Sequence, residues 1–180
     1  MPSKEIDILQ RDEPVLRLKA KAVPATDIGS AKIAKVLSDM KTAMSSQKDG
    51  IAIAAPQIGS ALQIFMISGE LLKKADKDYV GDSSDIIFIN PKITKLSREK
   101  KSMEEGCLSV RWLYGKVPRS TRASITGLNE KGEKVSRGAS GLLAQIFQHE
   151  CDHLNGILFT DKADLVWEMS EEEVKDLQKK

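Results

Sequence analysis

The stretch "FQHECDHLNG", residues 147–156, constrains this chain most, because it holds both of its histidines, His149 and His153. Leu142, Ile146, His149 and His153 recur at steps of three and four, the spacing of one helix face. Two imidazoles at i and i+4 point the same way and can share one metal ion. Glu150 lies about 100° around that helix from His149, near enough to reach a water beside the metal without being a ligand. His-Glu-x-x-His on a helix therefore reads as a metal centre with its own general base. The bland alternative is a surface helix with two solvated histidines. Ser140 reads as the residue that opens the helix and Gly156 as the one that closes it.

A catalytic metal needs a third protein ligand and an open position for water. With no further histidine, the candidates are a carboxylate or one of two cysteines. Cys151 is turned away from the His149/His153 face and reads as a small buried hydrophobe. Cys107 sits in "MEEGCLSV", between an acidic pair and a short apolar run, with a glycine that lets the backbone pass close to something. Composition alone favours a structural cysteine there, and the helix motif raises its standing as a ligand.

Three separated motifs now carry a resemblance. "GIAIAAPQIG" (50–59), "EGCLS" (105–109) and "QHECDHLNG" (148–156) are similar, in order, to the three motifs of the peptide deformylases. These are metallohydrolases that remove the formyl group from N-formylmethionyl chains. The likeness runs from "ILQRDEPVLR" (8–17) to "GILFTDKA" (156–163). Two departures stand out: Ala52 replaces a usual glycine, and Arg111 stands where proline is common. The resemblance implies Cys107, His149 and His153 as metal ligands, and it assigns oxyanion stabilisation to the Gln57 amide and the Leu108 backbone N–H. It implies that Arg119 pairs with Glu105 to hold the cysteine loop. It adds Ile51, Met103 and Tyr114, with Ala52 beside them, to a methionine pocket. Leu142, Gln145 and Ile146 join that pocket from the helix face. Gln145 is expected at the rim, its amide in water or against backbone, because an unpaired buried amide is costly.

The chemistry expected of such a site is amide hydrolysis. A metal with two imidazoles and a thiolate makes hydroxide available near neutral pH. Glu150 takes the water proton and passes it to the leaving amine. Ligand type suits zinc (Zn2+), whereas the resemblance implies ferrous iron (Fe2+) as the native ion, with Ni2+, Co2+ or Zn2+ able to replace it. Two other readings stay open. Metallopeptidases also use His-Glu-x-x-His, most with a histidine or glutamate as third ligand. A zinc-stabilised binding protein would need four ligands to close its site.

Length suits one domain over 1–180. With 28 basic and 26 acidic side chains the net charge is +2, which gives no argument for a dedicated nucleic-acid partner. The N-terminus lacks the apolar core of a secretory signal, and no run approaches a membrane span. Two cysteines in unlike settings suggest a reducing compartment. These features predict a cytoplasmic monomer, and the resemblance adds nascent formylmethionyl chains as substrate and proximity to the ribosome.

The expected fold class is α+β, with mixed or antiparallel strands around the central His-Glu-x-x-His helix and a helix towards each end. Residues 27–47 place Ile33, Leu37, Met40 and Met44 on one helical stripe. Residues 62–68 and 85–97 read as strands, the second interrupted at Pro91 as at an edge or bend. The polar segment 69–85 reads as a surface excursion. Residues 117–139 read as a hairpin turning at 129–132, with Ala123, Ile125 and Gly127 alternating with more polar neighbours. Ser170 and Glu173 form a capping box for a last helix over 170–180.

Overall fold

The computed structural model describes residues 6–179. The N-terminal segment 1–5, read above for targeting signals, and the final residue of the last helix reading lie outside the described residues.

Helix α1 (Ala31–Ser45) starts where the Ser30 side chain accepts from the Ile33 N–H, satisfying one of the orphan donors of a first turn. It buries Ile33, Met40 and Met44, three of the predicted stripe, with Ala43; Leu37 is half-buried beside them. Strand β1 (Ala52–Ala54) pairs with β2 (Ile64–Ile67). All four residues of β2 are buried because both faces are covered. Phe65 and Ile67 point into one apolar cluster, Ile64 and Met66 into another. This is the period of two that sends alternate side chains to opposite faces.

The polar excursion contains a helix that its composition concealed. In α2 (Gly69–Ala75) the Ser68 side chain accepts from the Leu71 N–H, and Leu72 is fully buried. One apolar anchor and a capping serine outweigh a lysine-rich surface. Strand β3 (Ile86–Leu96) runs through Pro91. The ladder slips between Ile89 and Lys92, where the proline's missing N–H would have been required. Asn90, at φ +53, holds that bend: its amide accepts from the Val23 N–H at 2.8 Å and donates to the Val23 carbonyl at 2.9 Å.

Strand β4 (Lys100–Gly106) pairs with β5 (Leu113–Ser120), and β6 (Arg122–Leu128) with β7 (Lys134–Ser140). The predicted hairpin is therefore β6–β7, while 117–120 belong to another sheet. Asn129 organises its turn by accepting from the Lys131 and Glu133 N–H groups. Helix α3 (Gly141–Leu154) carries the histidines. Ser140 stands at its N-cap, but its side chain makes no capping bond. Gly156 ends it at φ +73, where a Cβ would lie 2.5 Å from the Arg17 carbonyl oxygen. Strand β8 (Leu165–Glu168) and helix α4 (Glu171–Lys179) follow. Ser170 and Glu173 make the predicted box, side chain to backbone in both directions.

The strands form a five-stranded sheet, β1-β2-β3-β6-β7, and a three-stranded sheet, β4-β5-β8, with every strand pair antiparallel. Helix α1 covers one face of the larger sheet and α3 the other. Phe65 and Phe88 of the sheet, 5.2 Å apart between ring centroids, meet Phe147 of α3 at 6.4 and 5.6 Å. Each buried phenylalanine contributes roughly 1.5–3 kcal/mol by burial alone, so this cluster fixes where along the sheet α3 sits. The smaller sheet meets α3 from the opposite side, bringing the cysteine motif to the histidines. No helix among the described residues is long and apolar enough to cross a membrane.

Candidate metal centre

Cys107 follows the last residue of β4, and His149 and His153 come from α3. One donor atom from each lies within 4.8 Å of the others. Cys107 Sγ is 3.2 Å from His153 Nε2, and the two imidazole rings stand at 71° with centroids 5.0 Å apart. The cysteine loop approaches closely because residue 106 is glycine: a Cβ there would lie 2.7 Å from the Tyr114 ring. Burial raises the Cys107 thiol, but the facing His153 and His149 outweigh it and bring it down to about 5. A thiolate beside imidazole nitrogens is the form that binds a metal. Cys151 is no part of this group: it packs against the sheet core, and burial pushes its thiol up to about 12. Three donors, with no fourth beside them among the described residues, fit an open metal site rather than a closed structural one.

Behind the ligands lies a buried ionic chain. Arg119 grips Glu105 with two parallel bonds, Nε to Oε1 at 2.7 Å and Nη2 to Oε2 at 3.0 Å. Its third nitrogen donates to Asp152 Oδ2 at 2.6 Å, and Lys162 holds the other Asp152 oxygen. Glu105 Oε2 also lies 2.9 Å from His149 Nδ1. An ionised carboxylate only accepts, so His149 carries a proton on Nδ1, and against burial its bonds to Cys107 and Glu105 raise its pKa; Nε2 is the nitrogen that a metal would take on displacing a proton. Burial raises Glu105, but the bonds from His149 and Arg119 outweigh it and hold the carboxyl at about 2. Phe159, from the turn Phe159–Asp161, stacks on His149 and limits its rotation.

On the open side, Glu150 is 3% exposed, and its Oε2 makes no hydrogen bond to the protein. Burial raises its pKa, opposed by the neighbouring imidazoles. Gln57 sits in the turn Ala55–Ile58, 1% exposed. The Ala54 N–H donates to its Oε1 at 2.8 Å, which fixes the amide and aims Nε2 at Ser109 Oγ, 3.0 Å, and Cys107 Sγ, 3.7 Å.

A cleft of about 250 Å³ opens over these groups. Ile51, Ala52, Tyr114, Leu142, Gln145 and Ile146 line it, with Gln57, Leu108, Glu105, His149 and Glu150. The Gln145 amide donates to the Glu104 carbonyl at 2.8 Å. Met103 lies outside the lining, a correction to the pocket expected from sequence. It is two residues before Glu105 on an extended strand, which carries it roughly 7 Å further along. Sequence reasoning passed over Ser109, fully buried beside Gln57, and Asp152, which completes the Arg119 grip. Ser109 lies inside "EGCLS" and Asp152 inside "HECDH", so position within a motif was the available signal. The departure at Arg111 is held by Asp49 in two bonds of 2.7 and 3.0 Å and by Gln47 at 2.7 Å, with its guanidinium over the Trp112 ring. This clasp ties the cysteine loop to the approach to β1, as a side chain where a proline ring would have stiffened the loop.

Comparison with known proteins agrees with this geometry. The profile of the family described as polypeptide deformylase matches residues 6–167. Peptide deformylase 2 of Clostridium acetobutylicum is 40% identical over 85% of this chain and 91% of its own length. A class I type b peptide deformylase from Acinetobacter baumannii, solved with Met-Ala-Ser bound, superposes with a TM-score of 0.76 at 31% identity, over 89% of this chain and 100% of that one. The peptide deformylase of Thermotoga maritima gives a TM-score of 0.77 at 31% identity, over 91% and 100%. A profile match over most of the length, close relatives and a shared fold lead to one conclusion: this chain belongs to the polypeptide deformylase family.

Proposed function

We propose that this chain hydrolyses the formyl amide at the N-terminal formylmethionine of newly made polypeptides, releasing formate and a free amine. The observation that carries this reading is the convergence of Cys107, His149 and His153 under a cleft that also holds a buried, unpartnered Glu150 oxygen. Those three side chains would hold one divalent ion, Fe2+ as the native metal with Zn2+, Ni2+ or Co2+ as substitutes. When bound, the ion supplies a Lewis acid and an acidified water.

The chain's own groups do the rest. Glu150 accepts a proton as the water oxygen bonds to the formyl carbon, then delivers it to the amine as the C–N bond breaks. Its raised pKa suits both halves of that task. The Gln57 Nε2 and the Leu108 N–H donate to the oxyanion, and the fixed Gln57 Oε1 means that little reorganisation is needed. Glu105, held by Arg119, keeps the His149 tautomer and ring orientation. Ile51, Ala52, Tyr114, Leu142 and Ile146 take the methionine side chain, with Gln145 at the rim. The protein acts as a cytoplasmic monomer.

The test is formate release and free amino-terminus production from formyl-Met-Ala-Ser, alongside metal content, for the wild type, Cys107→Ser, His149→Ala and Cys151→Ser. The first two variants lose metal and turnover together, and Cys151→Ser keeps both. Full metal in Cys107→Ser would remove the proposed ligand set.

A further inference from the structure

The balanced charge totals hide a segregation. Lys95, Arg98, Lys100, Lys101 and Arg122 gather where β3 ends and β4 begins, Lys92 lies further back along β3, and all six are exposed. None forms an ion pair among the described residues, although Lys35, Lys41, Lys74 and Lys162 elsewhere each hold a carboxylate. The one acid among them, Glu99, accepts from the Thr121 hydroxyl. Six cations and one acid give +5 in a chain of net +2, so the rest of the molecule carries −3. A slip in the β3–β6 ladder between Ile93 and Lys95 puts Thr94, Lys95 and Leu96 on the surface together. Beside them a shallow groove runs between Lys95, Ser97, Arg122 and Ser124.

We propose that this basic end is a docking surface for the phosphate backbone of duplex RNA. Unpaired cations gathered on one part of the surface attract a polyanion and gain by releasing its counterions. The patch carries no aromatic side chain on which a single strand would stack. Its cations lie on strands and their connecting turn, and Leu96 is its one large exposed hydrophobic, so it lacks the amphipathic helix of a membrane-surface binder. That leaves duplex backbone. The choice of RNA over DNA alone rests on the proposed action on newly made polypeptides. Lys100 opens β4 and Cys107 follows its last residue, roughly 23 Å apart along an extended strand, so the cleft stays open while the patch is occupied.

The test uses the full chain and fluorescence anisotropy with an RNA duplex of about 16 base pairs, the span of a common duplex-RNA module. If all six cations meet phosphates, affinity falls roughly 10³-fold between about 50 and about 200 mM salt. The variant Lys95→Gln/Arg98→Gln/Lys101→Gln/Arg122→Gln loses at least tenfold in affinity, and its salt slope falls by about 3 to 4. A control with the same charge change elsewhere, Lys35→Gln/Lys73→Gln/Lys74→Gln/Lys175→Gln, retains binding. Both variants keep wild-type deformylation of formyl-Met-Ala-Ser, which reports folding and separates this surface from the catalytic reading. Four results would overturn the proposal: no binding at about 50 mM salt, equal loss in the control, tighter binding to the DNA duplex of the same sequence, or tighter binding to phosphatidylglycerol-containing vesicles.

Discussion

Two glutamates flank His149, and they are buried to nearly the same degree: Glu105 is 5% exposed and Glu150 is 3%. Their chemistry nonetheless diverges. Glu105 sits behind the ligands, where Arg119 and His149 hold its carboxyl at about 2. Glu150 faces the cleft with one oxygen unpartnered, and burial raises its pKa. Burial favours the neutral acid in both places, and the partners decide which carboxylate stays charged. The wall behind the metal site is therefore a fixed charge lattice, whereas the open side keeps a group that can hold and release a proton. The proposed hydrolysis would draw on both, a rigid wall and a group that exchanges a proton.

The sharpest way to break this comparison is to remove the mobile proton site. Glu150→Gln preserves shape and relieves a buried carboxylate of its charge, so the protein keeps its metal and its stability. Its kcat falls by ~10²–10⁴, the usual worth of a positioned acid–base group. Near-normal turnover with full metal content would show that Glu150 and Glu105 do not differ in role.

Breaking the other side has a different signature. Arg119→Met leaves Glu105 buried without its guanidinium and the half-buried Asp152 with Lys162 alone, which costs about 3–5 kcal/mol of stability. It also weakens metal binding by ~10–100-fold through the loosened His149. Urea unfolding and metal titration measure the two effects. Adding Glu105→Gln to Arg119→Met restores part of the lost stability, because one uncompensated charge is gone. If Arg119→Met were as stable as the wild type, the lattice would be a bystander.

The same pair predicts an acid limb. A carboxyl near 4.5 in the unfolded chain and at about 2 in the fold favours folding above about pH 4.5. That contribution, on the order of 3 kcal/mol, drains away as pH falls from about 4.5 towards 2. In Arg119→Met the carboxyl keeps only its bond to His149 and is held down less, so the wild-type advantage shrinks across this window. Unfolding free energies of the two proteins at pH 6, 4 and 3 check it, and a difference independent of pH would remove the Glu105–Arg119 bond as its source.

Half of this arrangement could be read from the chain before any coordinates. His149, Glu150 and His153 are local in sequence, and helical spacing alone orders them. Cys107 needed the motif around it, because the strand that leads to it, "KKSMEEG", shows neither alternation nor β-branched residues. Its strand character comes from pairing with β5, a tertiary effect. The bond between Asp152 and Arg119 was not legible, since the two are 33 residues apart, one on helix α3 and the other on strand β5. Helix α2 was hidden for the converse reason: Leu72 is the one large side chain buried in a segment that otherwise resembles a solvated loop. The basic patch escaped notice because total charge records no positions.

The smallest expected effect concerns the substrate pocket, and it asks whether the open side of the site also selects the side chain. Ile146 is 8% exposed on the face of α3 that lines the cleft, with Leu142 one turn earlier. The amide of Gln145 is spent on the Glu104 carbonyl, so it adds no unpaired polar group to the apolar wall. A methionine thioether entering there buries its length, whereas an alanine methyl leaves most of the wall uncovered. Formyl-Met-Ala-Ser should then exceed formyl-Ala-Ala-Ser in kcat/KM by about 1–3 kcal/mol, or roughly 5- to 150-fold. Ile146→Ala removes part of that wall and narrows the ratio. The ratio is the right readout because both substrates meet the same folded fraction, so any loss of stability from the truncation cancels. Equal values for the two substrates in the wild type would move the pocket away from α3, and a ratio unchanged by Ile146→Ala would shift the selection to Ile51 and Tyr114 across the cleft.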